Sequence, residues 1–314
     1  MICVRRICAL LGLLAVLAWQ SGVAQPAITP VEVAPQTYFV QGLPEMGSPA
    51  NQNFISNAGF VIGPTGVIVI DALGSPEIAR RLIEQIRQRT DKPITHVILT
   101  HYHADHIYGL QSFVDVGAKI IAHESAREYL NSDTAAQRLV TSRIELAPWI
   151  NENTRLVPAD TWISKDEDLE LAGMRVQLRP MGPAHTPHDL AIYIPERRAL
   201  FAGDLVFRGR IPYVGNADSR GWIAALDRLM ALDAAVVIPG HGAYSTQPRE
   251  DIVFTRDYLR YLRESMGPAA RDLEDFDAAY QATDWSHYQG MPLFKAANRM
   301  NAYNVYLSIQ DEPQ

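Results

Sequence analysis

The chain has 314 residues, 47% of them apolar, and a formal net charge of −7. That length buries a substantial core, as one large domain or one with an appended piece. An acidic balance without basic runs excludes the electrostatic footprint of a nucleic-acid binder.

Residues 1–24 read as a targeting segment. Arg5 and Arg6 form a basic start, Ala9 to Trp19 is an apolar stretch too short to span a bilayer, and Gly22-Val23-Ala24 places cleavage after Ala24. The expected location is the periplasm or the exterior, with no stable membrane span after processing. The Arg pair fits the twin-arginine route less well than the general secretory route, because Cys8 and Ala9 follow where bulkier residues are expected; an uncleaved anchor is the alternative. Both cysteines, Cys3 and Cys8, leave with the segment, so the mature chain has no disulfide and no thiolate ligand. Its charge becomes 26 − 35 = −9.

Residues 25–36, with Pro26, Pro30 and Pro35, read as an extended lead-in, and Tyr38-Phe39-Val40 as a first strand. The Gly/Pro-rich loop from Gly42 to Gln52 is either a mobile flap over a site or a plain connector. Asn53 to Ile62 and Gly66 to Asp71 form a hairpin turned by Gly63-Pro64-Thr65-Gly66. Ser75-Pro76-Glu77 starts a helix whose apolar face is Ile78, Leu82, Ile83 and Ile86. Strands are expected at Ile94 to Leu99, Lys119 to Ala122, Met174–Leu178, Leu190–Ile194, Ala199–Ala202 and Ala235 to Ile238. Helices are expected over roughly 124–147, from a cap at Ser219 to about Leu232, and from Asp251 onward with breaks near Gly267 and Gly290. This order predicts an α/β fold, two sheets between helix layers. A main domain over 37–248 would carry a helical extension, 249–314, that completes a substrate pocket or merely covers a sheet.

The run Thr100-His101-Tyr102-His103-Ala104-Asp105-His106 closes the strand Ile94 to Leu99. With nine histidines in 314 residues, three within six positions is not a chance cluster. Such a loop can aim His101 and His103 at one point and Asp105 and His106 at a second nearby point. Imidazole and carboxylate suit zinc, and also iron or manganese. Three further candidates stand where a strand pattern ends, each close to a glycine that lets the backbone turn: His185, Asp204 and His241.

Together these residues resemble the metallo-β-lactamase superfamily over roughly 37–245. Its five motifs appear in order as Asp71, the His101 to His106 run, His185, Asp204 and His241. The resemblance implies an αββα sandwich of two mixed sheets flanked by helices, with a metal site at one edge of the sheets. It also implies that His101, His103 and His185 hold one metal, that Asp105, His106 and His241 hold a second, and that Asp204 bridges them. Asp71 would be a buried carboxylate that orients ligands. An aspartate at 204, where several true β-lactamases have Cys or Ser, is similar to the glyoxalase II type of dinuclear site. The targeting segment, the stretch Asn53 to Gly59 and the stretch Phe207 to Pro212 resemble a periplasmic branch with SoxH-like hydrolases and the metallohydrolases of quinoprotein relay systems.

The expectation is a zinc hydrolase with two ions per chain, cleaving an ester, thioester, lactone or amide of a small molecule. Two divalent ions about 3.5–4 Å apart share an oxygen and bring the pKa of bound water towards neutrality, which yields the attacking hydroxide. Asp105 would orient or relay the proton, and no Ser or Cys nucleophile is needed. Three alternatives stand beside this: a β-lactamase, a mononuclear iron persulfide dioxygenase using His101, His185 and Asp204, and a noncatalytic metal-binding module.

Arg208, Arg210 and Tyr213 follow Asp204 and are candidate substrate contacts. Two guanidiniums there would select an anionic substrate bearing a carboxylate or sulfonate, whereas pairing with Asp218 or other local acids is the equal alternative. Tyr102 and Tyr108 either shape the pocket wall or pack the core. His188 reads as a rim or surface histidine, with a contact in the pocket as the alternative. His96, His123 and His287 read as structural, and Trp149, Trp222 and Trp285 as helix packing.

Overall fold

The computed structural model describes residues 25–312. The targeting segment expected over 1–24 lies outside them. Seven strands form one sheet in chain order: β1 (Val31–Ala34), β2 (Thr37–Val40), β3 (Ala58–Ile62), β4 (Val67–Ile70), β5 (Ile94–Ile98), β6 (Lys119–His123) and β7 (Thr161–Ile163). The first four pair antiparallel, and β4 to β7 pair parallel. Five strands form the second sheet, β8 (Glu167–Leu171), β9 (Met174–Pro180), β10 (Leu190–Ile194), β11 (Ala199–Phe207) and β12 (Val236–His241). There only β11 and β12 run parallel.

Parallel neighbours need a crossover, and helices supply it. The first, α1 (Pro76–Arg87), joins β4 to β5 and is capped by Ser75, whose hydroxyl accepts from the Ile78 N–H at 3.4 Å. Short helices α2 (Ala104–Ile107) and α3 (Leu110–Val114) follow β5, and α4 (Ala126–Leu130) and α5 (Asp133–Glu145) follow β6. Helix α6 (Ser219–Leu229) joins β11 to β12, and α7 (Pro248–Arg271), α8 (Phe276–Ala282) and α9 (Phe294–Gln310) end the described chain.

Period-two side chains sort the apolar residues into three layers. In β4, Ile68 and Ile70 face the other sheet, while Val67 and Val69 face the helix layer that includes α1. In β10, Leu190, Ile192 and Ile194 face the first sheet, while Ala191 and Tyr193 join a cluster with Leu226, Leu262 and Val305 of α6, α7 and α9. Two mixed sheets thus lie between two helix layers. Among the described residues no helix is long and apolar enough to cross a membrane.

Several local expectations give way to packing. The lead-in contains a strand, because Val31 pairs with Phe39 across the turn at Pro35. Asn53 to Asn57 leaves the hairpin as loop, and β7 and β8 were not foreseen. The helix over 124–147 is two helices, the second capped by Ser132, which accepts from the Ala135 N–H at 3.2 Å. Asp218 rather than Ser219 caps α6, accepting from the Gly221 N–H at 2.8 Å. Helix α7 does not break at Gly267: burial of Leu259, Leu262, Met266, Ala269 and Ala270 carries it through Gly267 and Pro268, overriding local propensity.

Candidate metal centre

The seven sequence-predicted ligands come from both sheets and meet at one edge of the sandwich. The chain leaves β4 through Asp71, in a left-handed conformation at φ 60°. Thr100, just past β5, donates to this carboxylate from its N–H to Oδ1 and from its hydroxyl to Oδ2, each at 2.8 Å. His101 follows, His103 sits at the start of α2, and one helical turn brings up Asp105 and His106. His185 comes from the loop between β9 and β10, Asp204 from β11 and His241 from the end of β12. A Cβ at Gly240 would stand 1.9 Å from Asp204 Oδ1, so a side chain there displaces this ligand.

The donor atoms of His101, His103, His185 and Asp204 lie within 4.8 Å of one another, and so do those of Asp105, His106 and His241. Asp204 stands between the two sets. Its Oδ2 lies 4.0 Å from His101 Nε2, 3.4 Å from His185 Nε2 and 3.4 Å from His241 Nε2, and its Oδ1 lies 3.2 Å from His106 Nε2. Asp105 Oδ2 completes the second set at 3.3 Å from His241 Nε2 and 3.6 Å from His106 Nε2.

Hydrogen bonds on the far side of the rings fix which nitrogen faces inward. His106 Nδ1 donates to Asp71 Oδ2 at 2.9 Å, and His241 Nδ1 donates to the Ile55 carbonyl at 2.7 Å. The Thr100 hydroxyl spends its proton on Asp71, so it accepts from His101 Nδ1 at 3.0 Å. Each Nε2 is then left with its lone pair. Among the described residues, and with the rings neutral, His101 Nε2, His106 Nε2 and Asp204 Oδ1 are buried without a hydrogen-bond partner, a costly state for polar atoms unless something positive binds them. His103 Nδ1 and His185 Nε2 face each other at 3.0 Å. Divalent cations, one at each donor set, would satisfy these atoms, and the donors are the nitrogen and oxygen set such cations take. The residues fit the metals that the sequence implied.

The charges agree. Burial drives His101 well below its ordinary range and His185 to about 3, so both rings are neutral and ready to coordinate. Burial also opposes charge on His106 and His241, yet facing carboxylates outweigh it: Asp105, Asp71 and Asp204 raise the first, Asp204 and Asp105 the second. Asp204 and Asp105 are held well below the usual carboxylate range because those imidazoles outweigh the burial that would raise them. The carboxylates therefore draw positive charge to the second set, the charge a divalent cation would supply there.

Residues not foreseen as part of the site support it. Phe207 stacks on His241 with centroids 5.4 Å apart and planes 6° off parallel. Trp222 packs edge-on against His185 at 5.0 Å rather than serving helix packing alone. Asn57 accepts from the Gly42 N–H and donates to the carbonyls of Pro239 and Gly242, and the Ser56 hydroxyl donates to the Asp105 carbonyl. Residues 51–54 are buried as well, so this end of the Gly42 to Gln52 loop is a fixed buttress rather than a flap. No local sequence signal marks Phe207, Trp222 or Asn57 for these roles.

The candidate substrate contacts separate. Arg208 pairs with Asp251 at 2.9 Å and donates to the Tyr244 carbonyl, so the acid it meets is Asp251 rather than Asp218. Arg210 is buried, with its Nη1 3.4 Å from the His241 ring and its guanidinium 5.7 Å from the Phe207 centroid. Among the described residues no carboxylate lies within ion-pair distance of it. Tyr213 is 39% exposed, its ring 6.4 and 6.3 Å from those of His103 and His185. Tyr102 is in the core, donating to the Val157 carbonyl, and Tyr108 donates to Ser142. His188 is buried rather than at the rim, 3.1 Å from the Thr186 hydroxyl, and burial pushes it down to about 3.

Comparison with known proteins places this geometry. A linear primary-alkylsulfatase from Pseudomonas sp. is 26% identical over 238 residues, 64% of this chain and 44% of that protein. The alpha subunit of a 2,4-dinitroanisole O-demethylase from Nocardioides sp. is 29% identical over 181 residues, 57% of this chain and 50% of that one. The chain thus spans about half the length of these curated relatives. A metallo-beta-lactamase type 2 from Bacillus cereus is 24% identical over 203 residues, 63% of this chain and 71% of that one. Among solved structures, a metallo-beta-lactamase from Pontibacter korlensis superposes with a TM-score of 0.59 at 20% identity, covering 74% of this chain and 99% of that one. A sec-alkylsulfatase from Pseudomonas sp. gives 0.71 at 20% identity, covering 90% and 50%. Residues 52–241 match the metallo-beta-lactamase superfamily model, and on that match, with the fold and the ligand cluster above, the chain belongs to the metallo-beta-lactamase superfamily.

Proposed function

We propose that the protein is a dinuclear zinc hydrolase acting on an ester, thioester, lactone or amide bond of a small molecule. The observation that carries this reading is Asp204, whose two oxygens face two complete donor sets at once. Two divalent cations held by these sets would supply an acidified water as nucleophile and a Lewis acid for the developing oxyanion. The chain's residues do the rest. Asp71, Thr100 and the Ile55 carbonyl hold the imidazoles in the ligating tautomer. Asp105, whose side chain is 17% exposed against 4% for Asp204, is the carboxylate placed to take and pass on a proton at the mouth. Phe207 and Trp222 exclude water from the back of the site. Arg210, buried and among the described residues with no carboxylate within ion-pair distance, favours a substrate that carries an anionic group.

The full second set, Asp105, His106 and His241, weighs against the single-iron persulfide dioxygenase reading. Activity on β-lactams is a second reading, supported by the similarity to the Bacillus cereus enzyme. Elemental analysis of protein purified without chelator, wild type beside Asp204→Ala, tests the assignment. About two zinc ions per chain, lost in the variant, support it. About one iron per chain overturns it in favour of oxygen chemistry on persulfides. Screening then covers esters, lactones, thioesters, sulfate monoesters and cephalosporins. The proposal includes export with cleavage after Ala24; N-terminal sequencing of protein from a periplasmic fraction should begin at Gln25.

A further inference from the structure

We propose that Asn301, on the last helix, is a positioning residue of the metal centre: its carboxamide sets the loop that carries Arg210 and Tyr213 at the mouth of the cluster. Residues 208–217 belong to no helix or strand, so their backbone groups need partners from elsewhere. Asn301 Nδ2 donates to the Pro212 carbonyl at 2.7 Å, and its Oδ1 accepts from the Val214 N–H at 3.0 Å. These two bonds bracket Tyr213. Asn304 Nδ2 donates to the Gly215 carbonyl at 2.7 Å, and the Ile211 N–H donates to the Pro292 carbonyl at 3.1 Å. All three partners lie beyond the residues matched to the family, 52–241.

The loop has two faces. Ile211, Val214 and Ala217, spaced by three, are buried in the cluster with α7 and α9. Arg210 and Tyr213, each one residue earlier, lie beside His241 and above His103 and His185. Asn301 itself is fully buried, and its amide has a single orientation: the Tyr258 hydroxyl spends its proton on Asn298 Oδ1 at 2.9 Å, so it accepts from Asn301 Nδ2 at 2.9 Å. An apolar residue would pack this helix as well but would leave both loop groups unpaired. A buried amide with donor and acceptor both committed specifies one geometry.

The test uses the full chain loaded with cobalt(II) and labelled with fluorotyrosine, with the Tyr213 signal identified by its loss in Tyr213→Phe. In the wild type that signal is shifted by the paramagnetic ion; in Asn301→Ala the shift collapses while cobalt stoichiometry stays the same. An unchanged shift overturns the proposal, and so does loss of cobalt in parallel with the shift, which marks a general structural role. If Asn301→Ala does not fold, Asn304→Ala, which removes only the Gly215 bond, should move the signal part of the way; no movement overturns the idea. The kinetic arm rests on the hydrolase reading. On a substrate from the screen, Asn301→Ala should raise KM about tenfold with a smaller change in kcat, and should add nothing further in a Tyr213→Ala, Arg210→Ala background. Full additivity there counts against positioning. Failure of every screened substrate sinks the hydrolase reading and leaves the cobalt result standing.

Discussion

The Nδ1–H of His106 donates to Asp71 Oδ2 across 2.9 Å, and the same oxygen takes the Thr100 hydroxyl at 2.8 Å. One buried carboxylate therefore sets the tautomer of His106 directly and of His101 through Thr100. Replacing Asp71 with Asn removes the anionic acceptor and should weaken metal affinity roughly 10–100-fold. Competition against a chromophoric zinc chelator measures it. An unchanged affinity would mean that the rings are held by packing alone.

Gly240 makes room for Asp204. A methyl there would stand 1.9 Å from Asp204 Oδ1 and 2.7 Å from the Gly203 carbonyl carbon. Gly240→Ala should fold but load less metal than wild type. Gly290→Ala, with nothing within 4 Å, is the control and should load normally. Equal metal in both variants would refute the steric argument.

The two loop arginines should differ. Among the described residues no carboxylate lies within ion-pair distance of Arg210, whereas Arg208 is paired with Asp251. Removing a charge-assisted contact to an anionic substrate costs about 1.5–3 kcal/mol, so Arg210→Gln should raise KM for anionic substrates roughly 10–100-fold. It should do little to a neutral analogue. Arg208→Gln should spare both, and the comparison of KM values decides.

Metal-free protein should lose stability on the alkaline side. His106 and His241 are raised above the ordinary value of about 6.5. Their favourable protonation is complete below that value and is lost as pH rises through the raised one. On the acid side, His101 and His185 are held neutral by burial, His185 down to about 3, so stability falls as pH drops below about 6.5. Bound zinc takes the place of the protons on the second set, so its affinity rises with pH. Melting temperatures of chelated and zinc-loaded protein, compared between neutral and alkaline pH, should draw apart as pH rises. A constant gap would contradict the linkage.

Trp222 is fully buried, packs on His185 and donates from Nε1 to the Leu205 carbonyl at 3.0 Å. Trp222→Ala should cost about 3–5 kcal/mol in chemical denaturation. Trp222→Phe, which keeps most of the volume but leaves the carbonyl unpaired, should cost less. Equal costs would point to the hydrogen bond rather than the packing.

By itself the sequence determined the layered fold and a His/Asp donor set suited to divalent metals. His101, His103, Asp105 and His106 stand within one six-residue run just past a strand end, so their convergence follows from local geometry. His185, Asp204 and His241 were visible because each follows an apolar run and a nearby glycine, although β11 runs on past Asp204 to Phe207 instead of ending at Ala202, and Ser75-Pro76-Glu77 marked α1 through side-chain and backbone chemistry within one turn. The tertiary structure alone decided the features that depend on distant partners. Val31 becomes a strand only against Phe39, and α7 passes Gly267 only because its apolar face is buried. Arg208 turns to Asp251, 43 residues on, while Arg210 goes to His241. Asn301 reaches Pro212 across 89 residues. Such contacts have no periodicity or spacing in the sequence, because they form only once two sheets and their helices have packed.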